Sequence, residues 1–186
     1  MWGIYRYSMG TMPAIRLPAA QHVAQPWKNG LGVSRMIAEF PRGAGFDTVL
    51  WQVGSTEIGA DCPFSDLPGL DRQFMVIEGA GVELTCLDEA GRTTVNRIDT
   101  LLAPFSFRGD WRTTCRLLAG QVRVLNVITR RGEYSAAVEI VSGLDRVRKA
   151  EAETLIAVEP DSLDAWLLDG PVSRAGRAVL VKIKTS

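Results

Sequence analysis

The loop PWKNGLG, Pro26 to Gly32, gathers an aromatic ring, a cation, an amide and two glycines. Glycine permits positive φ and lets a backbone approach a ligand closely. Trp27 can then cover a flat molecule while Lys28, Asn29 and the Gly30 backbone donate to it. The same loop also reads as a tight turn feeding a strand near Val33, with Trp27 packed on the core. Further on, LDRQFMVIEG places Arg72 at the mouth of a strand. Alternate strand residues share a face, so Arg72 lies with Phe74 and Val76, and Asp71 points the other way. A guanidinium stays charged in a protein and is costly to bury unpaired. Facing inward, Arg72 needs a carboxylate, an array of carbonyls or an anionic ligand. Facing outward, it is an ordinary exposed or salt-bridged arginine.

Other candidates follow the same logic. In VRVLNVIT, Asn126 shares a face with Val122, Val124 and Ile128, and an amide in an apolar row needs hydrogen-bond partners. It either satisfies backbone at a bulge or looks into a pocket. Arg130 ends that strand, where it adds positive field to a cavity mouth or is simply solvated. PFSFRGDW offers Phe105 and Phe107 at alternate positions, as core or as cavity wall, and Ser65 precedes the Arg72 strand. The lone histidine, His22, rules out a site with two or more imidazoles. Three cysteines, Cys62, Cys86 and Cys115, are far apart with no C-x-x-C, so they form neither a disulfide framework nor a zinc site. No Walker loop, H-E-x-x-H or G-x-S-x-G occurs. The expectation is no cofactor, no metal and no catalytic residue.

The elements that must position these residues read as strands. Short runs rich in Val, Ile, Leu and Phe alternate with Gly, Pro and Asp turns. The expected strands include Val33–Phe40, Thr48–Ile58, Gln73–Glu78, Val82–Leu87, Arg92–Ile98, Cys115–Ala119, Val122–Thr129, Ala136–Ile140, Glu153–Ala157, Ala165–Leu168 and Ala178–Ile183. AEAETLIAV is the best helix candidate, but it is short. The pattern is all-β, a double-sheet sandwich or barrel. At 186 residues the chain suits one domain or two small halves sharing a core, with a hinge near RRGEYSA. Lys plus Arg equals Asp plus Glu, which argues against nucleic acid or an anionic membrane as partner. No apolar run reaches the roughly 18 residues that span a bilayer, and no signal peptide is visible. Residues 1–11 are expected to be a flexible extension, with the domain running from Met12 to residue 186.

Four blocks occur in order: PWKNGLG, PFSDLPGLDR with VIEGAGVEL, PFSFRGD, and LLAGQVRVLNVITRRG. Together they resemble the HutD/Ves family of bacterial proteins, from about Met12 to at least Gly132. The resemblance implies an RmlC-like cupin jelly roll, as a bicupin of two small barrels packed into one body with a boundary near residue 130. It also exposes two departures. The family loop W-x-N-G-G-G has Leu31 at its middle glycine here. The strand after Trp51, usually Arg with a small hydroxyl residue two further on, has Gln52 and Gly54. Metal-binding cupins place H-x-H, then Glu, then six residues, then Gly. Counted back from Gly79, the Glu position falls on Arg72 and the histidine positions on Asp66 and Pro68. The comparison therefore implies a site converted from holding a cation to accepting an anion, for which arginine is suited by its two parallel hydrogen bonds to a carboxylate.

The family name ties the chain to histidine utilisation, whose intermediates urocanate and formylglutamate are carboxylates. The leading expectation is a cytoplasmic, metal-free bicupin, monomer or homodimer, that binds such a small carboxylate and modulates the pathway. Arg72 would clamp it, with Trp27, Phe105 and Phe107 as walls. Two readings stand beside it. One is a metal-independent enzyme using Asp71, Glu78 or Lys28; the other is an interaction protein with no small ligand.

Overall fold

The computed structural model describes residues 14–27, 32–147 and 152–186. The strands are β1 (Ala14–Leu17), β2 (Val23–Pro26), β3 (Gly32–Phe40), β4 (Trp51–Ile58), β5 (Cys62–Pro63), β6 (Leu70–Glu78), β7 (Val82–Leu87) and β8 (Thr93–Ile98). They continue with β9 (Phe105–Arg108), β10 (Arg112–Leu117), β11 (Val122–Arg130), β12 (Tyr134–Ser142), β13 (Thr154–Val158), β14 (Ala165–Leu168) and β15 (Arg177–Thr185). A short 3-10 turn, Ala19–Gln21, is the one helical element among the described residues, and none of them forms a helix long and apolar enough to cross a membrane. The expected extension, residues 1–11, lies outside the described residues.

Three antiparallel sheets form three layers. The central sheet has the order β2-β3-β4-β11-β6-β9, the second β5-β10-β7-β8 and the third β1-β14-β13-β15-β12. The central sheet is covered on both faces, and its sequence shows it. β6 runs almost continuously apolar because Phe74 and Val76 pack toward the four-stranded sheet, whereas Met75 and Ile77 pack toward the five-stranded one. β11 divides the same way, with Val122 and Val124 on one side and Leu125 and Val127 on the other. β7 has only one covered face, and VELTCL accordingly alternates buried and half-buried residues.

The chain passes to the third sheet just after β11. β1 also belongs to that sheet, pairing along β14 from Ala14 opposite Leu168 to Leu17 opposite Ala165. The outer face of the third sheet buries Leu155, Trp166, Leu168 and Leu180 beneath Leu144 and Val147.

The expected strands appear with shifts of a few residues at most at their ends, and Val82–Leu87 and Ala165–Leu168 keep their bounds. AEAETLIAV does not give a helix: Thr154–Val158 is a strand hydrogen-bonded on both sides, to β14 and β15, with Leu155 to Val158 all buried. Burial on both faces overrides helix propensity there. The strands not anticipated, β1, β2, β5 and β9, have four residues or fewer.

The EGAG turn between β6 and β7 depends on its glycines. Gly79 and Gly81 have φ of 100° and 103°. A Cβ would stand 2.7 Å from the Gln121 carbonyl oxygen at Gly79 and 2.4 Å from that of Ile98 at Gly81. No other residue fits either requirement without displacing backbone.

Candidate functional site

The space between the central and four-stranded sheets is lined by Ile58, Val76, Val82, Leu84, Ile98, Val122 and Val124. Into this apolar interior β6 projects Arg72, only 7% exposed and the one buried lysine or arginine among the described residues. Its position follows from strand alternation: Phe74 is fully buried on the same face, and Asp71 and Gln73 turn outward. The Cζ of Arg72 lies 4.9 Å from the ring centroids of both Phe64 and Phe107. Phe107 is its cross-strand partner on β9, and Phe105 stacks on Phe107 with centroids 5.7 Å apart.

Among the described residues no carboxylate or hydrogen-bond acceptor meets this guanidinium, and its buried Nε has no partner. Burial pulls its pKa down to about 10, with the Cys86 thiol opposing slightly, so it remains charged at neutral pH. Cys86 projects from the facing sheet, where the Thr113 hydroxyl lies 3.8 Å from its sulfur. Burial pushes the Cys86 thiol up, which keeps it neutral. The site is therefore one positive charge held by two aromatic faces at the edge of an apolar interior, where it also borders an open cleft.

The expected site residues fall in several places. Trp27 packs against the same interior and donates through Nε1 to Ser34 Oγ at 2.9 Å; Ser34 Oγ in turn lies 3.1 Å from Thr56 Oγ1. Lys28, Asn29 and Gly30, with Leu31, lie outside the described residues. Ser65 is exposed between β5 and β6. Asn126 stands on the interior face, opposite Phe74 on one side and Gly54 on the other, with its Oδ1 buried and unpartnered. Arg130 is committed elsewhere: it donates to the backbone carbonyls of Phe46 (2.8 Å) and Val49 (3.0 Å). Thus Arg72, Phe105, Phe107, Asn126 and Trp27 share one interior, whereas Ser65 and Arg130 do not project into it.

Gln52 and Gly54 both occupy the interior face of β4, since Trp51 and Val53 pack to the other side. Gly54 sits beside the bulge of β3 between Met36 and Ala38, where an added Cβ would lie 3.1 Å from the Arg35 carbonyl oxygen.

Three participants were not singled out from sequence. Phe64, inside the quoted PFSDLPGLDR block, supplies one of the two rings. Cys86 and Thr113 come from strands whose pairing with β6's surroundings no local pattern announces. The acids considered for catalysis do not face Arg72. Asp71 bonds Arg131 at 2.8 Å on the opposite side of the strand, and Glu78 is exposed and pairs with Arg123 at 2.7 Å.

On the outer side of β6 a cleft of about 560 Å³ runs between β9 and the start of β12, walled in part by Gln73, Arg108, Arg131 and Tyr134 and reached by Arg72 and Phe107. Its central cation is already satisfied, because Arg131 bonds both Asp71 and Asp110. Gln73 Nε2 donates to the Ala136 carbonyl across the same gap.

The interior does not fit a metal ion. Among the described residues no three His, Cys, Asp or Glu side chains converge. The guanidinium would also repel a cation at the position where the sequence comparison puts the metal-binding carboxylate.

Comparison with known proteins identifies the family and the fold. The HutD family model matches residues 19–169. An uncharacterized 21.2 kDa protein from the hutC 3′ region of Pseudomonas putida is 26% identical over 160 residues, 86% of this chain and 81% of that one. The structure of HutD from Pseudomonas fluorescens SBW25, described for a formate condition, superposes with a TM-score of 0.76 at 28% identity, covering 93% of this chain and 99% of that one. Bacillus subtilis oxalate decarboxylase shares the fold alone, with a TM-score of 0.56 at 9% identity over 95% of this chain and 78% of that one. The all-β cupin jelly roll expected from the sequence is the fold observed.

Proposed function

The chain belongs to the HutD family, and from that premise we propose that it is a metal-free cupin that binds a small carboxylate at Arg72 and thereby modulates histidine utilisation. One observation carries the reading: a buried, charged guanidinium between two aromatic rings with no anion to meet it among the described residues. A charge left alone in an apolar interior is costly. A carboxylate relieves that cost, because it accepts two parallel N–H bonds and neutralises the charge. The rings keep the guanidinium's plane in place, so little ordering remains to oppose binding. The link to histidine utilisation rests on the family and on the relative from the hutC region.

The test is a thermal-shift series with formate, urocanate, formylglutamate, glutamate, histidine and divalent metals. A ligand at one hundred times its Kd adds about 2.7 kcal/mol, a rise of roughly 5–10 °C for a chain of this length. The expected outcome is a shift with at least one carboxylate, absent in Arg72→Met. A shift with metals and none with carboxylates would overturn the reading.

A further inference from the structure

The interior holds a second group in the same condition as Arg72. Asn126 Oδ1 is buried and accepts no hydrogen bond. The register explains why. Its neighbour on β6 is Phe74, which offers only a ring, and its neighbour on β4 is Gly54, which offers no side chain. Arg72 pairs with Ile128, two residues along β11 from Asn126, so Arg72 and Asn126 are diagonal neighbours on one face. Side chains so placed stand within about 7–8 Å of each other, a distance one small molecule can bridge.

Resting on the carboxylate reading above, we propose that Asn126 is the second anchor of that site and that the ligand is a monocarboxylate carrying an N–H group, as in an azole or an amide, a few bonds from its carboxylate. Three observations select this class. Arg72 is the sole buried lysine or arginine among the described residues, so the site neutralises one anionic group and not two. The buried polar atom left to be met at the other end is a carbonyl-type acceptor, which calls for a donor. The wall between the two anchors is aromatic, with Phe64 against both Phe74 and Phe107, and suits a flat, unsaturated spacer. With Asn and Gln side chains the oxygen and nitrogen can exchange places, but either orientation leaves the amide requiring a polar complement.

The experiment compares two probes of nearly one shape. Urocanate, an acrylate on an imidazole ring, carries the N–H; 3-(2-furyl)acrylate carries the same acid on a ring without one. Both are titrated calorimetrically into the wild-type chain and into Asn126→Leu, with Asn126→Ser as the second variant should leucine not fold. The wild type is expected to prefer urocanate by at least about tenfold, since a site built to hydrogen-bond rejects the analogue lacking the group. In the variant the preference should fall to near unity while the furan's affinity changes little. Equal affinity of the two probes for the wild type, or an unchanged preference in the variant, overturns the role of Asn126 and leaves the Arg72 reading standing. Binding of neither probe to the wild type overturns the ligand class proposed here, while a shift with another carboxylate of the thermal series keeps the Arg72 reading.

Discussion

Replacing Arg72 by methionine should make the unliganded protein more stable, the reverse of what removing a buried arginine does when it has a partner. Burial lowers the pKa of Arg72 from arginine's ordinary high value to about 10. A base whose pKa is lowered by folding costs stability at every pH below the folded value, and the cost is relieved only as pH rises through about 10. At pH 7 the whole cost is therefore present, about 3 kcal/mol at roughly 1.4 kcal/mol per factor of ten. The two ring contacts return about 0.5–1 kcal/mol each. Methionine fills similar space, and its sulfur also sits well against aromatic edges. The net expectation is a gain of about 1–3 kcal/mol, which for this length of chain raises Tm by roughly 3–9 °C. Scanning calorimetry in a buffer free of carboxylates measures it. Adding formate or urocanate should then raise the wild-type Tm and leave Arg72→Met unmoved. A fall in Tm would show that Arg72 has a structural partner in the folded protein, and retained carboxylate binding would show that the anion sits elsewhere. Either result refutes the argument from the orphaned charge.

The remaining predictions concern the frame around the site. Burial pushes up the thiols of Cys62, Cys86 and Cys115, the last to about 12; the native protein at pH 8 should resist a thiol reagent such as DTNB and release three equivalents only in denaturant, and fast native labelling would contradict the packing. The backbone N–H of Gly69, then Arg131, lower the pKa of Asp110. A lowered carboxylate stabilises the fold above its unfolded value and loses that contribution as pH falls through the folded one. Asp110→Asn should thus lower Tm at pH 7, with the gap closing well below the ordinary value of about 3.9; a gap that persists at acid pH would point to shape rather than charge. Gly79→Ala should cost about 2–3 kcal/mol in urea denaturation, since a positive φ and a 2.7 Å approach to Gln121 coincide. Gly91→Ala, with φ of 79° and nothing within 4 Å, should cost less; equal losses would mean that the close approach relaxes freely.

The strands were legible in the sequence where one physical signal dominated. β7 declares itself by alternation and β6 by an apolar run, and Gly79 and Gly81 mark the turn between them. The short strands β1, β2, β5 and β9 carried no such signal, because AIRL, VAQP, CP and FSFR interrupt their apolar residues with polar, charged or proline residues, whereas the equally short β14, AWLL, is an unbroken apolar run. The inward face of Arg72 was legible as an alternative, since alternation ties it to Phe74 and Val76. What decided between inward and outward was the position of Phe64 and Phe107, which come from a loop and from β9. Arg130 shows the converse. Its sequence context allowed a cavity role, but the carbonyls of Phe46 and Val49, some eighty residues earlier in the chain, claim its donors. Long-range partners are set by the fold, and local pattern does not contain them.

The same strand also explains why the charge stays where it is despite its cost. A lone guanidinium at the end of a strand would escape to water if the strand could rotate or slip. Slipping by one residue would send Arg72 outward, but it would also carry Phe74 and Val76 to the wrong layer and bring Met75 and Ile77 with it. The residues on either side resist rotation as well. Asp71 is bonded to Arg131 and Gln73 to the Ala136 carbonyl, both on the far side of β6. Arg131 is held in turn by Asp110. The central sheet thus uses one face to fasten the strand to the third sheet and the other to hold an unpaired charge in the interior. Because the fastening lies entirely on the face away from the site, it does not consume the guanidinium's donors, and the arginine remains both fixed in position and free to bind.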